Sequence, residues 1–423
     1  MPEAVRSRFV IDVSRLIWRL WTGRRPTGID RVCLAYVAHF APQSLAMVQH
    51  GNVRAVLNRA DSAALFALLL GAAPQGFRAR LLAILGRVMI GVRRGDPAEL
   101  IYLNLGHTGL DNPGLGPWLR RSELKPVVLL HDLIPITHPH LCRPGEAERH
   151  GRRMRAVLGW ADGVIANSAA TQSDFADFAR DAGRPLPPVL VAPLGVEPGG
   201  VAKQVALPDR RWFVVIGTIE ARKNHAFLLD VWRDLAARFG AATPLLVIIG
   251  QRGWEAEEAI ARLDRIDPER DHVLELGGCS DAVLAAWLNG ATALLMPSVV
   301  EGFGLPVAEA LAAGTPVIAS DLPVYREYAG DIPLYLPASD AARWTDAIID
   351  FLSGEGDALR QRALIADYRP PDWPQHLALV EPWLAALEDG DQSKPSARNA
   401  SPSPASSAAP RGSASSSTTM RVE

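Results

Sequence analysis

Cysteine is scarce in this 423-residue chain. There are three, Cys33, Cys142 and Cys279, odd in number and far apart, with no CxxC pair. That excludes a disulfide framework and a zinc knuckle, and it points to a reducing compartment. Long apolar runs are also missing. The nearest, Ala63–Ala73, falls short of the ~20 residues that span a bilayer. The opening residues, MPEAVRSRFVIDVSRL, lack the apolar core of a signal peptide. A cytoplasmic location is therefore expected. No sign of charge dominates: 44 Lys and Arg stand against 46 Asp and Glu, a net charge of −2. A strongly basic nucleic-acid binder is excluded, while an anionic ligand held by a few local cations is not. A GxGxxG fingerprint is absent as well. Gly114-Leu115-Gly116 is followed by Pro117, which argues against a dinucleotide-dependent oxidoreductase.

What is present is alternation. From Trp212 onward, short apolar runs at 212–219, 244–250, 272–277, 291–297 and 315–320 are separated by amphipathic stretches at 224–239, 254–266, 281–288 and 306–313. Doubly buried strands alternating with helices predict a parallel α/β sheet. The first half repeats the pattern, with strands at 9–13, 45–49, 100–105, 126–132, 163–168 and 188–194 and helices at 29–39, 144–160 and 169–182. Two Rossmann-like, doubly wound domains are expected, over 1–200 and 201–370, facing each other across a cleft. The join falls near Gly195–Pro208. An amphipathic helix at 371–389 is expected to pack back on the first domain. The Ser/Pro/Ala-rich tail, 390–423, lacks the apolar surface needed to fold and is expected to be disordered.

Segment 77–94, FRARLLAILGRVMIGVRR, carries arginines through an apolar helix. The plain reading is a helix of the first domain with a basic edge. The sharper one is a peripheral contact with the anionic inner membrane.

The most informative stretch is SVVEGFGLPVAEALAAGTPVIAS, 298–320. A strand end, a glycine turn (Glu301 to Leu305) and a helix with Pro306 near its first position form an anion site of free N–H groups at a positive dipole end. Glu301 in the turn and Glu309 one helical turn on can both point into one cleft. Carboxylates suit sugar hydroxyls rather than phosphate, so a sugar nucleotide fits better than a bare nucleotide. A second turn of the same domain, GTIEARKN (217–224), offers Arg222 and Lys223 to phosphates.

EGFGLPVAE matches the E-x7-E signature of the bacterial group 1, GT4-type retaining glycosyltransferases, which have the GT-B fold. GTIEARKN, IIGQRGW, LGGCSD and GTPVIASDLPVYREYAGD follow that family's order, and the resemblance covers roughly residues 9–390. It implies that Glu309 holds the donor ribose and that Glu301 contacts the transferred sugar. Backbone groups of Phe303, Gly304 and Leu305 would bind diphosphate or sugar. Gly217 and Thr218 would lie on the donor side, with Lys223 and Arg222 neutralising the diphosphate. Where the family often has arginine this chain has Thr218, and Arg222 is the candidate replacement.

In the first half, HDLIPITHPHLCRP (131–144) also resembles the family, and His131 would hydrogen-bond the donor sugar. His131, Asp132, His138, His140 and Cys142 could instead hold a metal, but their spacing matches no common zinc pattern. TGIDRV (27–32) resembles the acceptor-side glycine loop, making Asp12, Gly28 and Arg31 acceptor-side candidates. The one DxD triplet, Asp389-Gly390-Asp391, opens the tail and is a decoy for a metal–diphosphate site. No cofactor or metal is expected. The resemblance implies a retaining hexosyltransferase of surface polysaccharide synthesis, taking a nucleotide diphosphate sugar and a saccharide or lipid-linked saccharide. A non-catalytic sugar-nucleotide-binding protein or partner subunit is the alternative.

Overall fold

The computed structural model describes residues 6–23, 27–71, 76–89, 98–197 and 205–389. The tail 390–423, residues 198–204 of the join and residues 90–94 of the basic helix segment lie outside the described residues.

Two sheets organise the chain. The first contains β1 (Phe9–Asp12), β2 (Ser44–His50), β3 (Val53–Val56), β4 (Ile101–Asn104), β5 (Lys125–Leu130), β6 (Gly163–Ala166) and β7 (Val189–Val191). Their order is β3-β2-β1-β4-β5-β6-β7, parallel except for β3, which pairs antiparallel with β2. The second contains β8 (Trp212–Ile216), β9 (Leu245–Ile249), β10 (Val273–Leu276), β11 (Leu294–Met296), β12 (Val317–Ser320) and β13 (Leu334–Leu336). It is parallel throughout, in the order β10-β9-β8-β11-β12-β13.

Every residue of β1, β4, β6, β8 and β9 is buried. Helices cover both faces of each sheet, so these strands read as apolar runs, interrupted only by Asp12 and Asn104 at the ends of β1 and β4. Two strands escape the sequence pattern. β3 is four residues long and follows a hairpin whose Gly51 has φ +58°. β13 is only Leu-Tyr-Leu. Neither is long enough to show a period.

In each sheet the winding reverses once, between β1 and β4 and between β8 and β11. Ligands of open α/β sheets bind at such reversals, outside the carboxyl ends of the strands. Turn 217–224 leaves β8 and turn 297–304 leaves β11, so both candidate donor motifs flank the reversal of the second sheet.

The Trp373–Glu388 helix lies against the first domain. Trp383 and Leu387 fill the space beside Gly163, where a Cβ would come within 2.5 Å of Trp383. Glu388 accepts from Arg8 at 2.5 Å, and Lys125 donates to the Glu388 carbonyl at 2.6 Å. Tyr36 OH and the Pro193 carbonyl hold His376 at 2.7 and 2.9 Å. The chain therefore crosses between domains twice. The crossings touch: Val196 N–H donates to Pro371 O at 2.8 Å, and Gly195 packs on Trp373.

Candidate functional site

The turn after β11 ends at Gly304, which caps the Leu305–Ala312 helix with φ +81°. A Cβ there would sit 2.3 Å from Tyr325. Glycine is thus required both by the left-handed backbone and by the ring beneath it. Tyr328 OH donates to Phe303 O and Gly304 O at 3.1 and 2.9 Å, and its ring stacks on Phe303 at 4.8 Å. These tyrosines pin the turn, and sequence pattern offered no sign of them. The amides at the helix start are held rigid, as anion binding requires.

Beside the turn sits a closed group of charges. Glu301 accepts from Lys223 Nζ at 2.5 Å, Arg222 Nη1 at 2.5 Å and Ser298 Oγ at 2.8 Å. Arg222 also pairs with Glu220 at 2.6 Å. The side chains of Glu301, Lys223 and Glu220 are only 4%, 7% and 3% exposed. Burial alone would raise the Glu301 pKa, but the two cations outweigh it and hold the carboxyl down at about 2. Burial pushes Lys223 down, and Glu301 only partly restores it. Two carboxylates and two cations balance. Glu301 was expected as an acceptor for sugar hydroxyls, with Arg222 and Lys223 on phosphate. In the structure these three are bound to one another, because buried cations need an anion at hydrogen-bond distance.

Gly217 has φ +140° and meets the Lys223 side chain. Thr218 turns its methyl toward Gly253, while Arg222 brings the guanidinium to the cluster. Glu220 and Ser298 were not anticipated from sequence. Glu220 lies inside the quoted motif, and its position between a glycine turn and two cations was a usable signal.

The two domains touch along one edge of the cleft. Arg31 Nη1 reaches Glu309 Oε1 at 2.5 Å, joining a residue expected on the acceptor side to one expected on the donor ribose. The Gly28 backbone packs on Leu305, an added Cβ lying 3.5 Å from its side chain. A Cβ on Gly302 would come 2.2 Å from the His131 carbonyl oxygen. Ser168 Oγ donates to Gly302 O at 3.2 Å. Glu327 accepts from the amides of Ala169 and Ala170 at 2.7 and 2.9 Å, across the cleft at a helix N-terminus. No local pattern marks Glu327, since its partners are 157 and 158 residues away.

Two first-domain candidates sit differently from expectation. Asp12 is buried and accepts from Ser14 N at 2.9 Å, Gln49 Nε2 at 2.5 Å and Tyr102 OH at 3.0 Å. Burial raises its pKa against those bonds. It ties together the ends of β1, β2 and β4. His131 was expected to offer its ring to the donor sugar. Its Nε2–H donates instead to Leu105 O at 2.7 Å, and the ring lies beside His107 at 5.2 Å. The His131 carbonyl, not its ring, faces the donor turn. Among the described residues no group of three or more His, Cys, Asp and Glu is placed to hold a metal ion.

Burial pushes both His131 and His225 down to about 4, from an ordinary value near 6.5. Between those values the unfolded chain binds protons that the folded chain refuses. Stability is thus present above pH ~6.5 and falls as pH is lowered toward ~4. At ~1.4 kcal/mol for each pH unit between the two values, each histidine contributes a loss on the order of a few kcal/mol. Glu301, held at about 2, adds little above pH ~5, because the carboxyl is ionised there in both the folded and the unfolded chain. Equal denaturation midpoints at pH 7.5 and pH 5 would refute the prediction.

Residues 201–366 match the family described as glycosyl transferases group 1. The serotype-specific mannosyltransferase WbdA of Escherichia coli is 26% identical over 241 residues, covering 53% of this chain and 29% of that protein. The phosphatidyl-myo-inositol mannosyltransferase of Mycobacterium tuberculosis is 33% identical over 164 residues, 36% of this chain and 41% of the relative. The match to WbdA thus spans under a third of that protein's length. Among solved structures, Anabaena HepE in complex with UDP-glucose superposes with a TM-score of 0.61 at 15% identity, covering 89% of this chain and 99% of that one. At that identity the likeness is one of fold. Over residues 201–366 the chain is thus similar to the group 1 glycosyltransferases, and its two facing α/β domains form a GT-B fold.

Proposed function

We propose that the chain transfers a hexose, of mannose or glucose type, from a nucleotide diphosphate sugar to a saccharide acceptor with retention of configuration. The observation that carries this reading is the buried group of Glu301, Arg222 and Lys223 at the reversal of the second sheet, beside the fixed N–H groups of the Leu305–Ala312 helix. The names of the curated relatives, mannosyltransferases among them, support the hexose class.

In this reaction the bond from the sugar's anomeric carbon to the diphosphate oxygen breaks, and its electron pair stays with the leaving diphosphate. The acceptor hydroxyl oxygen bonds to the same carbon from the same face, and its proton passes to the departing phosphate oxygen. The charge growing on that phosphate is met by Arg222, Lys223 and the helix amides. Donors fixed in advance where charge develops supply a large part of a rate enhancement. The touching domain edges exclude water, which would otherwise compete as the acceptor.

Glu309 is the proposed ribose acceptor, and Arg31 competes for it. Glu309→Ala is expected to weaken nucleotide-sugar binding about 10–100-fold, the size of hydrogen bonds to a charged group. Arg31→Ala is expected to tighten it a few-fold. A thermal-shift screen of GDP- and UDP-hexoses reads both, because a ligand at ~100 times its Kd stabilises by about 2.7 kcal/mol. If sugar nucleotides bind but no saccharide ever yields product, the chain is a sugar-nucleotide-binding protein. If Glu309→Ala binds them as the intact protein does, the ribose assignment fails.

A further inference from the structure

The cations proposed to meet the leaving diphosphate are already engaged. Arg222 is ion-paired to Glu301 at 2.5 Å and to Glu220 at 2.6 Å, and Lys223 to Glu301 at 2.5 Å. A further carboxylate acts on the group from across the cleft. Burial works against the Arg222 charge, and Glu301, Glu220 and then Asp132 of the first domain raise its pKa in spite of that. Glu301, Glu220 and Asp132 thus face Arg222 and Lys223, three carboxylates to two cations. A diphosphate adds negative charge, which is costly to desolvate beside acids unless another cation arrives.

Arg143 of the first domain is placed to supply it. Its guanidinium carbon stands 4.8 Å from the ring centre of Trp254, in the turn after β9. Arg143 is exposed, and Trp254 is 38% exposed. Arg15, Arg31, Arg149 and Arg153 each hold a carboxylate: Asp30, Glu309, Asp111 and Glu146 in turn. Among the described residues Arg143 forms no such pair and rests on an indole face instead. At an exposed site that hold is worth about two- to fivefold in an equilibrium. A phosphate offers the guanidinium fork two parallel charge-assisted hydrogen bonds, a stronger partner than the indole.

Both sides of this contact border the turn that carries Arg222. Gly253 N–H donates to Ile219 O and Ile219 N–H to Gln251 O, both at 2.9 Å, which clamps the Trp254 turn to residues 217–224. On the first-domain side, burial raises the pKa of the adjacent Cys142 thiol. The charges that act on that thiol are, in order, Asp132, Arg222, Glu220 and Glu146.

We propose that Arg143 is a catalytic cation delivered across the cleft: it leaves Trp254 when the donor binds, and its N–H groups meet the diphosphate. As the bond from the anomeric carbon to the phosphate oxygen breaks, Arg143 stabilises the charge left on that oxygen and gives up no proton. The proposal rests on the transferase reading above and adds a first-domain residue to it. The test compares variants of the full chain with the sugar nucleotide that the screen selects, its nucleoside diphosphate and its nucleoside, binding being followed by ligand-observed NMR. Arg143→Gln is expected to weaken the nucleoside diphosphate about 10-fold, leave the nucleoside unaffected and lower kcat about 10²-fold. Arg143→Lys should fall between, and millimolar guanidinium ion should restore part of the kcat of Arg143→Gln. Trp254→Leu should keep kcat and tighten the diphosphate about two- to fivefold, because it removes a competitor. If Arg143→Gln and Trp254→Leu lose activity alike, the contact is only a strap between domains and the proposal fails. It fails too if Arg143→Gln matches the unaltered protein in kcat and diphosphate affinity while the sugar nucleotide still binds, and the transferase reading then stands. If the unaltered protein binds no sugar nucleotide, the transferase reading falls and this proposal with it.

Discussion

Replacing Lys223 with methionine is expected to lower transfer about 10²–10³-fold, the scale of losing one fixed donor at a developing oxyanion. Lys223 is buried, and its Nζ meets Glu301 at 2.5 Å. Methionine keeps most of the side-chain volume and removes only the charge. The same change leaves Glu301 and Glu220 sharing Arg222 alone, an uncompensated buried charge that costs ~3–5 kcal/mol of stability. The structural and chemical effects separate in the double variant. Adding Glu301→Gln removes the orphaned charge, so the melting temperature should recover in large part. Transfer should not, because the cation for the leaving diphosphate is still gone. Recovery of both together would mean that Lys223 serves only to neutralise Glu301, and its proposed role would be lost.

The second large effect is expected at Gly302. Its added Cβ would lie 2.2 Å from the His131 carbonyl oxygen and 2.9 Å from the Asp132 Cβ. Neither obstacle is the free end of a long side chain, so Gly302→Ala must push the domains apart at this edge. A misplacement near 1 Å is enough to cost ~10²-fold in rate. The helix amides and Glu309 belong to the second domain alone and move with it. Nucleotide-sugar affinity should therefore hold within a few-fold while kcat collapses. A variant with unchanged kcat would show that this contact is not needed during transfer. One that loses donor binding equally would place the damage within the second domain.

Strands buried on both faces were readable from the sequence because their apolar runs are local, as in FVVI of β8 and VVLL of β5. The glycine turn and the helix start after β11 were readable too, since a strand end, Gly304 and Pro306 lie within a few residues of one another. What escaped was pairing across distance. Arg31 and Glu309 are 278 residues apart, and nothing near either announces the other. Glu301 was legible as a carboxylate of the cleft, but not as the anion of two buried cations. Burial decides that, and burial belongs to the assembled fold. The bond of the His131 ring to Leu105 escaped for a related reason. Position at a strand end says which edge a residue occupies, not which rotamer its neighbours, here Leu105 and His107, allow.

The paired crossings at Val196 and Pro371 bear on how the cleft can open. Two bodies joined by one strand can swivel about every axis. Two strands joined side by side by a hydrogen bond resist both twist and shear, and they leave bending about their common line as the soft coordinate. Opening of this cleft is then close to a motion with one degree of freedom. The Arg31–Glu309, Gly302–His131 and Glu327–Ala169 contacts would part in a fixed sequence set by their distance from that line.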